Sequence, residues 1–265
     1  MARVRYVRTL EQIKQAHETN PEFLPSTVRS VRCVYETDPK IARALVPKPL
    51  EPDPRPEVCV TFSHVAMHVA PERTIEIGSA IFGVRAVYDG TPGIFLLTMP
   101  MTTEQAVIGG RETYGEPKKI AQIEFSKQGE RVAANATRMG TTYLSVSGKL
   151  GKALGAREFV EHGYCVKASP SCDPKRALDG DPLLVRLEWR HRHSGAWQLE
   201  GGALVLSESP FDPVADVPVR RLVRCEYEEG GSQSNGRVLR SIPGEWFLPF
   251  LHGRYDDPSG VGLEV

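Results

Sequence analysis

Two adjacent lysines, Lys118 and Lys119, follow a proline and stand at the head of a run of alternating residues. The stretch reads Gly109-Gly110-Arg111-Glu112-Thr113-Tyr114-Gly115-Glu116-Pro117-Lys118-Lys119-Ile120-Ala121. Glycine and proline punctuate it, so the lysines are expected to enter a strand from a fixed turn. Adjacent ammonium groups repel, and burial penalises charge further, so one of the pair would give up its proton more readily than a solvated lysine. A free amine near neutral pH attacks ketones and forms a Schiff base. Lysine ordinarily titrates at about 10.4, so working near pH 7 asks for a drop of about three units, or roughly 4 kcal/mol. Without such a setting the pair is solvated surface charge, the commoner fate of lysine.

The elements that must hold these lysines are mostly strands. Val58 to His68, Thr74 to Tyr88, Ile94 to Thr98, Ile120 to Phe125, Arg131 to Thr137, Tyr143 to Ser147, Tyr164 to Ser169, Leu184 to His191, Trp197 to Ser207 and Leu222 to Tyr227 are apolar or alternating, as is Arg29 to Tyr35. Asp89-Gly90 and Lys127-Gln128-Gly129-Glu130 read as hairpin turns. Thr9-Leu10-Glu11-Gln12 is a capping box opening a short helix that Asn20-Pro21 ends. Asp38-Pro39 opens a second. Gly148 to His162 reads as a loop with a short helix, and Glu228 to Gly236 as a surface loop. Strands at this frequency with only short helices predict an antiparallel sheet system or barrel, α+β but mostly β, in one domain spanning 1–265.

Bulk properties bound the function. The 265 residues are 40% hydrophobic and 25% charged with zero formal net charge, an ordinary globular composition. Zero charge gives no electrostatic footprint for nucleic acid. No apolar run approaches a membrane span, and residues 1–20 lack the apolar centre of a signal peptide. Five widely spaced cysteines without a CxxC are expected to be reduced thiols in a cytoplasmic protein, with Cys33, Cys59 and Cys165 as core residues.

Other constellations are weaker. His191 and His193 share a strand face but lack a third ligand, so an exposed strand end is expected and no metal. His64 and His68 either face a cavity or sit satisfied in the core, the core being the commoner case. No nucleotide-binding glycine motif or GxSxG is present, and no cofactor is implied. Glu76, between two isoleucines, alternates outward in an open sheet and inward if the sheet closes; inward, it needs a cation such as Arg29.

The segment Gly110-Arg111-Glu112 through Glu116-Pro117-Lys118-Lys119 resembles the active-site lysine segment of the acetoacetate decarboxylase family. That family is itself the standard illustration of a lysine activated beside another cation. Further pieces fall in family order: Val34 to Asp38, Val46 to Pro52, Ala66-Met67-His68, Glu76-Ile77-Gly78, Ala136 to Gly140, Tyr164 to Lys167, Ala196-Trp197 and Ala215 to Val219. The resemblance implies an acetoacetate decarboxylase-like β-barrel with short peripheral helices, assembled as a homo-oligomer. It implies Lys118 as the Schiff-base lysine, Lys119 as its neighbour, and Glu76 and Arg29 as pocket residues. Two positions depart from the family pattern. Ser63 stands where a second pocket glutamate is usual, and Glu116 where a bulky apolar residue is usual.

The expected chemistry is attack of Lys118 on a small keto acid, with Glu76 moving protons and Arg29 holding a carboxylate. Glu116 and Ser63 are candidate substrate-binding residues, and Phe62, Met67, Phe82 and Met99 candidate walls. β-Keto acid decarboxylation is the first reading. Condensation of pyruvate with an aldehyde followed by dehydration is the second, and a non-catalytic ligand-binding barrel the third. A Glu116 that lines the pocket disfavours a second anion and favours the condensation, whereas one that points into solvent changes nothing. In Lys119-Ala121-Ile123-Phe125 the apolar face belongs to Lys119, so alternation alone buries Lys119 and not Lys118.

Overall fold

The computed structural model describes residues 4–20, 22–70, 72–257 and 259–265. Four helices punctuate its strands: α1 (Leu10–Thr19), α2 (Pro39–Ala44), α3 (Glu104–Tyr114) and α4 (Leu248–Leu251). The strands are β1 (Leu24–Glu36), β2 (Glu51–Pro52), β3 (Glu57–Ala70), β4 (Arg73–Tyr88), β5 (Thr91–Met101), β6 (Lys118–Ile120), β7 (Gln122–Gln128), β8 (Arg131–Arg138), β9 (Thr141–Ala153), β10 (Arg157–Lys167), β11 (Leu183–Leu206) and β12 (Arg221–Ser241). The capping box at Thr9 forms as the sequence predicts, and Asp38 caps α2 with Pro39 in its first turn. α1 ends with Asn20 as its cap, and Pro21 lies outside the described residues. Asp89 and Gly90 both take positive φ, the two-residue turn that matches the twist of the β4–β5 hairpin.

The sheet closes on itself. Hydrogen-bonded neighbours run β10-β5-β4-β3-β1-β12-β11, and β11 pairs back onto β10. All contacts in this ring are antiparallel except the short β10–β5 pairing at Gly163–Ile94 and Tyr164–Phe95. β11 is long enough to leave the ring and carry β9, β8 and β7 as a second layer. Alternate residues along a strand point to opposite faces, and directly paired residues share one. One face of the ring therefore looks inward. It supplies Val34, Cys59, Ile77, Leu96, Met99, Cys165 and Leu187 to an interior cluster. The outward face of β1, β3 and β4 packs Val31, Tyr35, Val60, Phe62 and Phe82 against Val132, Ala134, Tyr143 and Leu144 of the second layer. A third cluster seats α2 and Phe247 against Phe95, Tyr164 and Leu184. Burial of each such large side chain stabilises the fold by about 1.5–3 kcal/mol.

Several expectations are corrected. Gly148 to His162 is not a loop with a helix but the end of β9 and the start of β10, and Glu228 to Gly236 continues β12 in register with β1 and β11. The runs expected at Leu184 to His191 and Trp197 to Ser207 are one strand, β11, which ends at Leu206 and shifts in register between His193 and Gly195. Long-range pairing on both edges supplies the hydrogen bonds that composition alone does not promise. Gly109 and Gly110 lie inside α3 and open no turn. The thiols are not all free: Cys33 and Cys225 lie directly opposite each other on β1 and β12 and form a disulfide, leaving Cys59, Cys165 and Cys172 unpaired among the described residues. No helix among the described residues is long and apolar enough to cross a membrane.

Candidate active site

Lys118 opens β6, which pairs in parallel with the second half of β5, Lys118 opposite Met99 and Lys119 opposite Pro100. Met99 belongs to the interior cluster, so Lys118 shares the inner face of the ring. Its approach is fixed by α3. Thr103 caps that helix at Ala106 N, and Gly115 ends it in the left-handed conformation at φ 73°. A side chain at Gly115 would begin 2.3 Å from Lys167 Cα, so helix end and β10 meet at a distance only glycine allows. Pro117 O then accepts from Met99 N at 3.0 Å, which starts the β5–β6 pairing. Arg111 donates to Lys118 O at 2.9 Å and holds the strand to the last turns of α3.

Lys118 Nζ lies 2.8 Å from Glu116 Oε2. Both side chains are shielded, with 14% and 8% of their surface exposed. Gly110 makes room for this pair, since a Cβ there would fall 2.1 Å from Glu116 Oε2 and 2.7 Å from Lys118 Nζ. Cys165, on the inner face of β10, feels the charges of both and donates to Tyr114 O at 3.2 Å. Burial, with the Glu116 carboxylate adding to it, pushes the Cys165 thiol well up, so it stays a neutral wall.

Lys119 turns to the other face. It donates to Phe211 O at 2.9 Å and Tyr255 O at 3.2 Å, and its Nζ lies 3.4 Å from Asp212 Oδ1 and 3.5 Å from Asp256 Oδ1. Arg138 completes the cage, 2.9 Å from Asp212 Oδ2 and 2.6 Å from Asp256 Oδ2. Two cations face two carboxylates there. The expectation that Lys119 presses its charge on Lys118 is therefore corrected: Lys119 is neutralised behind the strand, and the charge beside Lys118 is the carboxylate of Glu116.

The remaining expected residues separate by face. Ser63 points inward, and its hydroxyl lies 2.8 Å from that of Ser30. Ser30, Ser63 and Ser79 are paired in register across β1, β3 and β4 as a row of hydroxyls on the face Lys118 shares. Glu76 and Arg29 are not brought to Lys118. Both alternate outward, Glu76 is 59% exposed, and the two meet only through His64, at 3.3 Å from each. The same parity divides the expected walls: Met67 and Met99 face inward, Phe62 and Phe82 outward. His64 and His68 are not core residues: the first is half-buried and the second exposed.

Sequence reasoning missed a second inward charge cluster. Arg32 is buried between Glu161 and Glu228, and Arg157 pairs with Glu226 at 2.6 Å and with Glu228. His193 is buried 3.5 Å from Glu228, and His191 stacks on Phe159 at 4.7 Å. These histidines do not lie on an exposed strand end. Burial and the neighbouring His191, Arg32 and Arg157 charges lower His193 to about 4. Burial opposes ionisation of Glu161, yet Arg32 and His191 together bring it down to about 2. No group of three or more His, Cys, Asp or Glu among the described residues is arranged to hold a metal.

This closed sheet is a known architecture. The chain superposes on a solved acetoacetate decarboxylase with a TM-score of 0.70 and 19% identity, over 89% of this chain and 99% of the other. It superposes equally, at 17% identity over 83% and 90%, on the enduracididine biosynthesis enzyme MppR complexed with the condensation product of pyruvate and imidazole 4-carboxaldehyde. At these identities the likeness defines the fold. The family follows from sequence: the acetoacetate decarboxylase family model matches residues 12–241, and the chain belongs to that family. It is 27% identical over 219 residues to an acetoacetate decarboxylase of Ralstonia nicotianae, covering 79% of this chain and 86% of that one. A second, from Acidiphilium cryptum, is 28% identical over 231 residues with the same coverages. The protein is an acetoacetate decarboxylase-like enzyme of the carbon–carbon lyase class.

Proposed function

We propose that the protein acts on a small keto acid through a Schiff base on Lys118, with Glu116 as its proton-transfer partner. The observation that carries this reading is the 2.8 Å contact between Lys118 Nζ and Glu116 Oε2 on the inner face of the ring, shielded from water. A proton passed from the ammonium to Glu116 leaves a free amine and a carboxylic acid side by side. The amine adds to the substrate ketone, and the acid protonates the departing hydroxyl, so water leaves and an iminium forms. The iminium is then an electron sink.

Two reactions can follow. A β-keto acid loses carbon dioxide, and the enamine is protonated and hydrolysed. Alternatively, Glu116 takes a methyl proton from the pyruvate iminium, the enamine attacks an aldehyde carbon, and Glu116 returns the proton to the new alkoxide before water is lost. A carboxylate at the amine disfavours a second anion poised to leave beside it, whereas a neutral aldehyde meets no such penalty. The Glu116 contact therefore favours condensation and dehydration over decarboxylation. MppR, of the same fold, is complexed with such a condensation product. Ser63, with Ser30 and Ser79, offers hydroxyls to a bound acid on the same face. We extend the family's homo-oligomeric habit to this chain, which light scattering would test.

Incubation with acetoacetate or with pyruvate, borohydride reduction and intact-mass measurement tests the reading. One ligand mass per chain on Lys118 is expected. Equal trapping by Lys118→Ala would remove the assignment.

A further inference from the structure

Behind the lysine strand lies a device that the family match does not reach. The match ends at residue 241, yet residues 252–256 return to the back of β6. Arg254 is buried and donates to Val166 O. Its own carbonyl accepts from Arg111 at 3.1 Å, and the same Arg111 holds Lys118 O. The Tyr255 ring lies 5.5 Å from the Arg111 guanidinium carbon, and Tyr255 O accepts from Lys119. Asp256 accepts twice from Arg138 at 2.6 Å, while Arg138 Nε donates to Ile120 O at 3.1 Å. Lys118, Lys119 and Ile120, the whole of β6, are thus each tied to residues 254–256 directly or through one arginine.

We propose that residues 254–256 form a C-terminal latch that fixes β6 against β5, and that Asp256 is a positioning residue for Lys118, acting through Arg138 and Lys119. A three-residue strand with pairing on one side has too few hydrogen bonds to hold its own register. A slip by one residue would exchange the faces of Lys118 and Lys119. Asp256 also supplies half the negative charge of the cage, so its loss leaves Lys119 and Arg138 against Asp212 alone. The role in catalysis rests on Lys118 being the nucleophile; the latch itself does not.

Two readouts on the full-length protein separate the ideas. In Asp256→Asn, amide exchange at Lys119 and Ala121, the amides on the β5 side of β6, should rise about tenfold or more while the ring strands keep their protection. Unchanged exchange at those two amides overturns the latch, whether or not Lys118 reacts. Borohydride trapping of pyruvate by Asp256→Asn should be about tenfold slower, with its pH profile displaced to lower pH by the uncompensated positive charge. Asp256→Glu should restore both. Wild-type rate and profile in Asp256→Asn overturn the positioning role. Absence of trapping in wild type counts against the Lys118 reading and with it the positioning role, while exchange still decides the latch.

Discussion

Lys118 and Lys119 are neighbours in the chain and live in opposite electrostatic settings. Lys119 has four oxygen partners from two distant segments, and Asp212 and Asp256 share it with Arg138. Lys118 has one carboxylate partner and retains some access to solvent. Saturation makes the first lysine a structural pin, because any reaction at its nitrogen would take a partner from the buried Asp212 carboxylate. A single carboxylate partner is the setting that the proposed Schiff base on the second requires. The difference arises from strand alternation, which sends consecutive side chains to opposite faces of β6.

The largest effect should come from Lys118 itself. Lys118→Ala should abolish trapping and turnover and, by leaving the buried Glu116 carboxyl without its partner, cost about 1–3 kcal/mol of stability, which calorimetry and carbon dioxide release would show together. Glu116→Gln keeps the shape but cannot carry a proton, and should slow condensation of pyruvate with an aldehyde by about 10²–10⁴-fold. Glu116→Phe should raise carbon dioxide release from acetoacetate and move its optimum to lower pH; an unchanged rate and profile would leave Glu116 without a role.

Lys119→Ala attacks the other side of the comparison. It leaves buried Asp212 and partly exposed Asp256 facing one guanidinium and should cost about 3 kcal/mol in urea unfolding. A loss of less than about 1 kcal/mol would mean the cage is not a pin.

Acid should weaken the protein through the inward cluster rather than through either lysine. His193 has its folded value near 4, below the ordinary 6.5, so the unfolded chain binds more protons between those values. Glu161, near 2 instead of 4.5, adds stability above 4.5 that is lost as pH falls towards 2. The melting temperature should therefore be flat above pH 6.5 with respect to these groups and fall progressively below it. His193→Phe should blunt the fall between pH 6.5 and 4. The smallest effect belongs to the outward pair: Glu76→Ala and Arg29→Ala should leave turnover within about twofold, as surface substitutions away from a site do.

Much of this was readable without coordinates. The alternating runs became strands, the Thr9 and Asp38 caps formed, and the lysine motif pointed to the residue that faces inward. Alternation also foretold that Lys119 would be the more buried of the pair. What was hidden depends on partners far away in the chain. Asp212 and Asp256 meet Lys119 across 93 and 137 positions, and no local pattern announces them. Arg32, not Arg29, faces the interior because parity on β1 is set by pairing with β3 and β12, which the sequence of β1 cannot specify. The glycine-rich part of β12 reads as a loop because glycine weakens strand propensity; two flanking strands override that. α3 was missed because Gly109 and Gly110 look like breakers, although Gly110 is needed to admit the Lys118–Glu116 pair.

The most direct measurement is fragment-ion mapping of the borohydride-reduced adduct, which resolves Lys118 from Lys119 within one peptide. After incubation with pyruvate, a single ligand mass should reside on Lys118 with none on Lys119, and should vanish in Lys118→Ala. An adduct on Lys119, or one that persists in Lys118→Ala, would contradict the division of labour between the two faces of β6.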